Sequence, residues 1–286
     1  MTFESLLRAG YKKAKLHDKE DEAVKLLLME LSNQDPHQFY LHLADDAGLE
    51  FEKLFLKKLD QYLIEDVPVQ HLIGHSYFFG YKFKVNQDVL IPRSETEQLV
   101  EHVFYYYDQY FNDQKLDVLD LGTGSGCIGL TLALEAKDLN VTISDISQDA
   151  LNVALENKEQ LNAKAQIIQS DLFEKINHQF DMIISNPPYI PDDEIVQDIV
   201  TKEPSVALYG GKLGVEFYER IIKESKKYIK EKALIGFEHG YQQKAQIYEF
   251  AQKYYPDANI IQLKDLQGRD RYTFIGIGGV LEHEKR

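Results

Sequence analysis

The spacing of apolar residues changes character along the chain. Near the start, Phe3, Leu6, Leu7 and Tyr11 recur at helical spacing, as do Val24, Leu27, Leu28 and Leu31, and then Phe51, Leu54, Phe55, Leu59 and Leu63. Phe39, Leu41 and Leu43 are less regular. Asp35-Pro36 suits a helix start, and Pro68 is expected to stop the last helix, because proline fixes φ and has no amide to donate. Residues 1–66 therefore read as a bundle of four or five helices. His75 to Phe79 and Tyr81 to Val85, around Gly80, read instead as two short aromatic-rich strands, a hairpin expected to act as connector. Ser94 and Glu97 have capping-box spacing, which predicts a helix from Glu95 to Tyr110.

From Lys115 onward strand and helix patterns alternate. The strands are expected over Asp117 to Leu121, Asn140 to Asp145, Ala165 to Ser170, Phe180 to Ser185, Ala233 to Glu238, Asn259 to Leu263 and Tyr272 to Ile277. The intervening helices are expected over Cys127 to Ala136, Gln148 to Gln160, Val215 to Tyr228 and Gln242 to Tyr254. Such alternation predicts an α/β fold, a parallel sheet with helices on both faces. One long irregular stretch, Pro187 to Leu213, interrupts it, and long loops inside compact domains are usually functional.

Composition narrows the function classes. The chain has 286 residues, enough for two domains, with 47 acidic against 32 basic residues and a formal charge of −15. That balance argues against broad binding to phosphate backbones or anionic lipid, so a nucleic-acid partner is not expected. Cys127 is the one cysteine, which rules out an intramolecular disulfide and argues against a cysteine-based zinc site. The nine histidines do not point to a metal site, and no metal is expected. No stretch is long and apolar enough to span a bilayer, and Met1-Thr2-Phe3-Glu4 lacks a secretory pattern, so the expected setting is cytoplasmic, with no membrane partner.

Two segments carry chemistry. Asp120-Leu121-Gly122-Thr123-Gly124-Ser125-Gly126 follows a strand and opens a helix, and its glycines let the backbone turn sharply and let a ligand approach. The next strand ends in Asp145, where doubly wound folds place an acid that accepts from ribose hydroxyls. Together they predict a nucleoside-containing ligand at the strand ends. The second segment is Asn186-Pro187-Pro188-Tyr189. Two prolines fix the backbone and remove two donors, leaving carbonyls and the Asn186 oxygen as acceptors, with Tyr189 as a flat face. Such a corner suits a planar –NH₂ group, which offers two donors and needs its nitrogen oriented for attack.

The glycine turn resembles the S-adenosylmethionine loop of Rossmann-like methyltransferases, and Asn-Pro-Pro-Tyr resembles the corner of those that act on planar amino groups. Ile91-Pro92-Arg93-Ser94-Glu95-Thr96-Glu97, Val69-Gln70-His71-Leu72-Ile73-Gly74, Glu203-Pro204-Ser205-Val206-Ala207-Leu208 and Glu238-His239-Gly240 are similar to strings of the peptide chain release factor N5-glutamine methyltransferase family. The resemblance covers nearly the whole chain. It implies a seven-stranded class I methyltransferase domain over residues 91–286, a helical substrate-recognition domain over 1–68 and a β-hairpin linker over 69–90. It further implies that Gly122, Thr123, Gly124, Ser125, Gly126 and Asp145 hold S-adenosylmethionine, with S-adenosylhomocysteine as product. Leu172, where the family often has an aromatic residue, would lie against the adenine, and Asp171 would accept from its amino group. Asn186 would touch cofactor and substrate, and Asn186, Pro187, Pro188 and Tyr189 would grip the glutamine of a release factor's Gly-Gly-Gln loop. The implied product is N5-methylglutamine, formed by direct in-line displacement with the amide proton leaving to water.

Two other readings stay open on the residues alone. An exocyclic amino group on a nucleic-acid base presents the same planar –NH₂, although it would have to leave its stack. A non-catalytic binding module would keep the fold as a scaffold. Several features read as structural: Cys127 as a small residue behind the turn, Tyr105-Tyr106-Tyr107 as core and helix surface, and Glu20-Asp21-Glu22 as a solvated helix start.

Overall fold

The computed structural model describes residues 1–112 and 114–284. The chain forms two compact units. The smaller comprises Met1–His75 together with the returning segment Val196–Lys202. Its helices are α1 (Phe3–Leu16), α2 (Asp21–Leu31), α3 (Pro36–Leu41), α4 (Leu49–Ile64) and α5 (Val69–Ile73). Leu6, Leu27, Leu28, Phe39, Phe55 and Leu59 are fully buried among them, so most of the apolar stripes form inner faces, while Leu54 of the third stripe and Leu41 are exposed. Asp35 caps α3 by accepting from the Gln38 amide at 2.9 Å, with Pro36 at the first helical position. Pro68 does not end the last helix, as its lack of an amide had suggested. α4 has already stopped at Ile64, and Pro68 instead stands at the entry to α5, which Gly74 closes in the left-handed conformation. Residues 69–75, expected to belong to the linker, lie in this unit.

The larger unit comprises Ser76–Ile195 and Glu203–Arg286. The hairpin of β1 (His75–Phe78) and β2 (Tyr81–Lys84) turns through Phe79 and Gly80, both at positive φ, as a two-residue turn of matching twist requires. Phe78 and Phe83 are fully buried in one of this unit's cores. Then come α6 (Ser94–Phe111), β3 (Leu116–Leu121), α7 (Cys127–Glu135), β4 (Leu139–Asp145), α8 (Gln148–Leu161), β5 (Ala165–Gln169) and β6 (Phe180–Ser185). After a short helix α9 (Ser205–Leu208) follow α10 (Glu216–Ser225), β7 (Ile229–Glu238), α11 (Lys244–Tyr254), β8 (Asn259–Lys264) and β9 (Asp270–Ile277). The capping box predicted at Ser94 does not form: Arg93 is the N-cap residue, and the Glu97 carboxylate accepts from the Phe79 amide at 2.7 Å.

Seven strands form one sheet in the order β5-β4-β3-β6-β7-β9-β8. The pairs from β5 through β7 are parallel, as strand–helix alternation predicted, and β9 runs antiparallel to both β7 and β8, so the seven-stranded sheet is mostly parallel with one reversed strand. Helices α6 and α7 contribute to one core and α10 and α11 to the other. The strand order reverses between β3 and β6, which are neighbours although β4 and β5 separate them in sequence. The crevice at the carboxyl ends of strands at such a reversal is where open α/β sheets bind ligands. The glycine turn leaves β3 there, and the proline corner leaves β6.

Candidate active site

Beyond Leu121 the chain passes through Gly122 (φ +75°) and Gly124 (φ +54°), a conformation that disfavours side chains. A Cβ at either would meet nothing within 4 Å, so bare backbone faces open space. The turn is held from below. The Gly122 and Thr123 amides donate to the Ser144 carbonyl at 2.8 and 2.9 Å, and the Gly124 amide donates to Asp145 Oδ2 at 2.9 Å. Asp145 Oδ1 accepts from the Ser147 amide at 2.9 Å, which fixes the carboxylate at the rim. Asp120 is fully buried; its Oδ2 accepts from the Gly129 amide at 2.9 Å and from the Thr123 hydroxyl. Burial pushes its carboxyl up to about 6.

The second segment is equally braced. Ser185 Oγ donates to the Leu121 carbonyl at 2.6 Å and so ties the ends of β6 and β3 together. Behind the corner, Gln243 Nε2 donates to the carbonyls of Tyr189 (2.6 Å) and Gly214 (2.8 Å). The Ile190 amide donates to Leu208 O at 2.9 Å, and Gly210 N donates back to Ile190 O at 2.9 Å. In front, Asn186 Nδ2 donates to Thr96 Oγ1 at 3.3 Å, and Thr96 Oγ1 donates to Glu238 Oε2 at 2.7 Å.

These segments share one cleft. Gly122, Thr123, Gly124, Ser125, Asp145, Leu172, Asn186, Pro187 and Pro188 all line it. Gly126 and Tyr189 are not among its lining residues. A Cβ at Gly126 would strike Leu130 at 2.8 Å, which puts that glycine against α7. Tyr189 packs on the core that holds α10 and α11, and burial raises its hydroxyl to about 12. Its carbonyl is the group Gln243 holds, which braces the corner from behind. Arg93 lines the cleft and pairs with the buried carboxylate of Glu203, whose other oxygen accepts from the Ile91 amide at 2.8 Å. Cys127 also lines it, with its thiol raised to about 12 by burial, which disfavours the thiolate.

The cleft suits a nucleoside carrying positive charge near the turn. Glycine backbone lets such a ligand approach closely, two carboxylates, Asp120 and Asp145, lie beside the turn, and Asp120 Oδ1 and Ser125 Oγ are buried without a partner among the described residues. The methyltransferase small domain family matches residues 102–233. A release factor glutamine methyltransferase of Bacillus subtilis is 39% identical over 88% of this chain and 90% of its own length. One of Streptococcus pneumoniae is 35% identical over 96% of this chain and 95% of its own. The chain belongs to the release factor glutamine methyltransferase family. A solved methyltransferase from Pyrococcus furiosus, 18% identical, superposes with a TM-score of 0.53 over 71% of this chain and 91% of that one, which shows the fold.

For this release factor glutamine methyltransferase family member the structure adds site residues that the sequence did not single out for a role. Thr96 and Glu238 lie inside strings that carried the resemblance, so a signal existed, but their partnership did not show. Phe217, from α10, lines the cleft with Leu172 and had no signal. Glu238 is buried, and burial raises its carboxyl to about 7, opposed by the Thr96 hydrogen bond and the Arg271 charge. A folded-state value above the unfolded one near 4.5 favours the fold at low pH, and that advantage is lost as pH rises through 7. Glu238→Gln removes this titration. Relative to the unaltered chain, the variant should gain about 2–3 kcal/mol of stability between pH 5 and pH 8. Urea unfolding at both pH values measures it, and a difference that does not change with pH refutes the assignment.

Proposed function

We propose that this enzyme transfers a methyl group from S-adenosylmethionine to the side-chain amide nitrogen (N5) of the glutamine in the Gly-Gly-Gln loop of peptide chain release factors, in the cytoplasm. The observation that carries the reading is the meeting of the Asn186-Pro187-Pro188 corner with the glycine turn in one cleft, in a chain of this family. The cofactor supplies an electrophilic methyl group on a sulfonium and leaves as S-adenosylhomocysteine. The protein binds and orients. Asn186 Oδ1 and the carbonyl at Pro187 accept from the two N–H bonds of the carboxamide, which holds its nitrogen and lone pair in place. A carboxamide nitrogen is delocalised and weakly nucleophilic, so fixing it is the main contribution open to the protein. No side chain is assigned as a strong base, and the proton leaves to water.

Adenosine recognition falls to Asp145 for the ribose hydroxyls and to Leu172 and Phe217 for the purine. Asp171 is held by Arg220 at 3.2 Å and has the acceptor a purine amino group needs. Leu172 has no ring, and Phe217 supplies the aromatic surface of that end of the cleft. Phe217→Ala should weaken S-adenosylhomocysteine binding about tenfold, the size of a lost aromatic contact, with kcat at saturating cofactor little changed; calorimetry showing unaltered affinity refutes it.

The test of the function is incubation with cofactor and a release factor, followed by mass spectrometry of the Gly-Gly-Gln peptide. A single added methyl on the glutamine is expected. Label from the cofactor found on RNA or DNA instead, or no transfer at all, overturns the reading. No helix among the described residues is long and apolar enough to cross a membrane.

A further inference from the structure

We propose that Thr96 and Glu238 are positioning residues that set which way round the Asn186 carboxamide sits, so that its oxygen, and not its NH₂, faces the cleft. The inference rests on the proposed function, because only a donor-rich substrate group such as –NH₂ needs an acceptor there.

The argument is one of hydrogen counting. Thr96 lies in the first turn of α6 and is 3% exposed; Glu238 ends β7 and is 2% exposed. Neither can turn to water. A threonine hydroxyl has one proton. With Glu238 ionised, that proton goes to Glu238 Oε2 at 2.7 Å, so toward Asn186 the Thr96 oxygen accepts. The 3.3 Å contact therefore requires Asn186 to donate from Nδ2. The inward partner of the carboxamide is thus an acceptor, its NH₂ is drawn inward, and Oδ1 is left to the cleft that Asn186 lines. The reverse flip would press Oδ1 against the Thr96 acceptor and present NH₂ to the substrate's own NH₂, donor against donor.

Backbone alone does not fix this choice. Pro187 and Pro188 hold the corner, but a carboxamide turned by 180° about its last bond has the same shape, so only its partners distinguish the two states. The pair reaches the corner from two other elements, α6 and β7, so the chain must close the whole sheet before Asn186 acquires its direction.

Two variants separate this from mere packing. Thr96→Val keeps the shape and removes the hydroxyl; Thr96→Ser keeps the hydroxyl and loses a methyl. Thr96→Val should lower kcat for release factor methylation about 10–100-fold, the scale of a misplaced reacting group, with little change in cofactor affinity. Thr96→Ser should recover most of the rate. If valine is as active as threonine and serine is the impaired variant, the residue only packs and the proposal is overturned. A second readout does not need the reaction: exchange of the Asn186 side-chain amide protons by NMR. Slow exchange in the unaltered enzyme and in Thr96→Ser, and faster exchange in Thr96→Val, supports the inference; equal rates in all three overturn it. Failure of the unaltered enzyme to methylate glutamine would count against the proposed function, and the exchange rates would still decide the orientation.

Discussion

Asn186→Ala is expected to lower methyl transfer to the release factor at least about 100-fold in kcat, because the carboxamide nitrogen loses the acceptor that aims it. The shape of the corner should survive, since its bracing runs through Gln243 to the Tyr189 and Gly214 carbonyls and through Ser185 to Leu121, none of which involves the Asn186 side chain. Cofactor affinity should fall by only a few fold, because the glycine turn and Asp145 carry their own hydrogen bonds to Ser144 and Ser147. Asn186→Asp is the informative companion. It keeps an acceptor toward the cleft but has no proton for Thr96, and it sets a second carboxylate near the buried Glu238. It should therefore also be impaired, with more activity at pH 6 than at pH 8, as protonation relieves the repulsion. Single-turnover rates with saturating cofactor check both variants. An Asn186→Ala enzyme with an unaltered rate would show that the gripping atoms lie elsewhere.

Much of this architecture was legible because apolar period distinguishes helix from strand. The stripes through Leu6, Leu27, Phe55 and Leu59 are all inward faces, and the glycine turn and the proline corner fall at the ends of adjacent strands. Strand direction was not legible from period, because a buried strand reads the same whichever way it runs. Length carried the missing signal. Only residues 265–269 join β8 to β9, and a parallel connection needs a dozen residues or more. Local chemistry misled where a distant partner won. Ser94 and Glu97 have the spacing of a cap, but Glu97 serves the Phe79 amide of the hairpin turn. The Thr96–Glu238 contact joins residues 142 positions apart, a pairing that the closed sheet alone creates. Tyr189 packs on the core around α10 and α11, a contact that no short motif encodes.

Gly214→Ala should disable the corner from behind while leaving the cleft's cofactor end nearly intact. Gly214 sits at φ +68°, and a Cβ there would lie 2.2 Å from the Tyr189 carbonyl oxygen and 2.6 Å from Gln243 Nε2. The same two groups are joined at 2.6 Å, so the methyl cannot enter without parting them or moving the strand end. Left-handed backbone costs an alanine roughly 1–2 kcal/mol, and a parted buried hydrogen bond adds about 1–3 kcal/mol. A loss of about 2–5 kcal/mol in unfolding free energy is thus expected. Because Tyr189 follows Pro188 directly, displacement of its carbonyl shifts the corner, and kcat should fall about 100-fold for a misplacement near 1 Å. Gly268→Ala is the control. It has φ +79°, nothing within 4 Å of its Cβ, and a place in the turn between β8 and β9, so it carries the conformational cost alone. If Gly214→Ala and Gly268→Ala lose equal stability and keep equal activity, the close approach behind the corner has no energetic weight and the Gln243 clamp does not position Asn186.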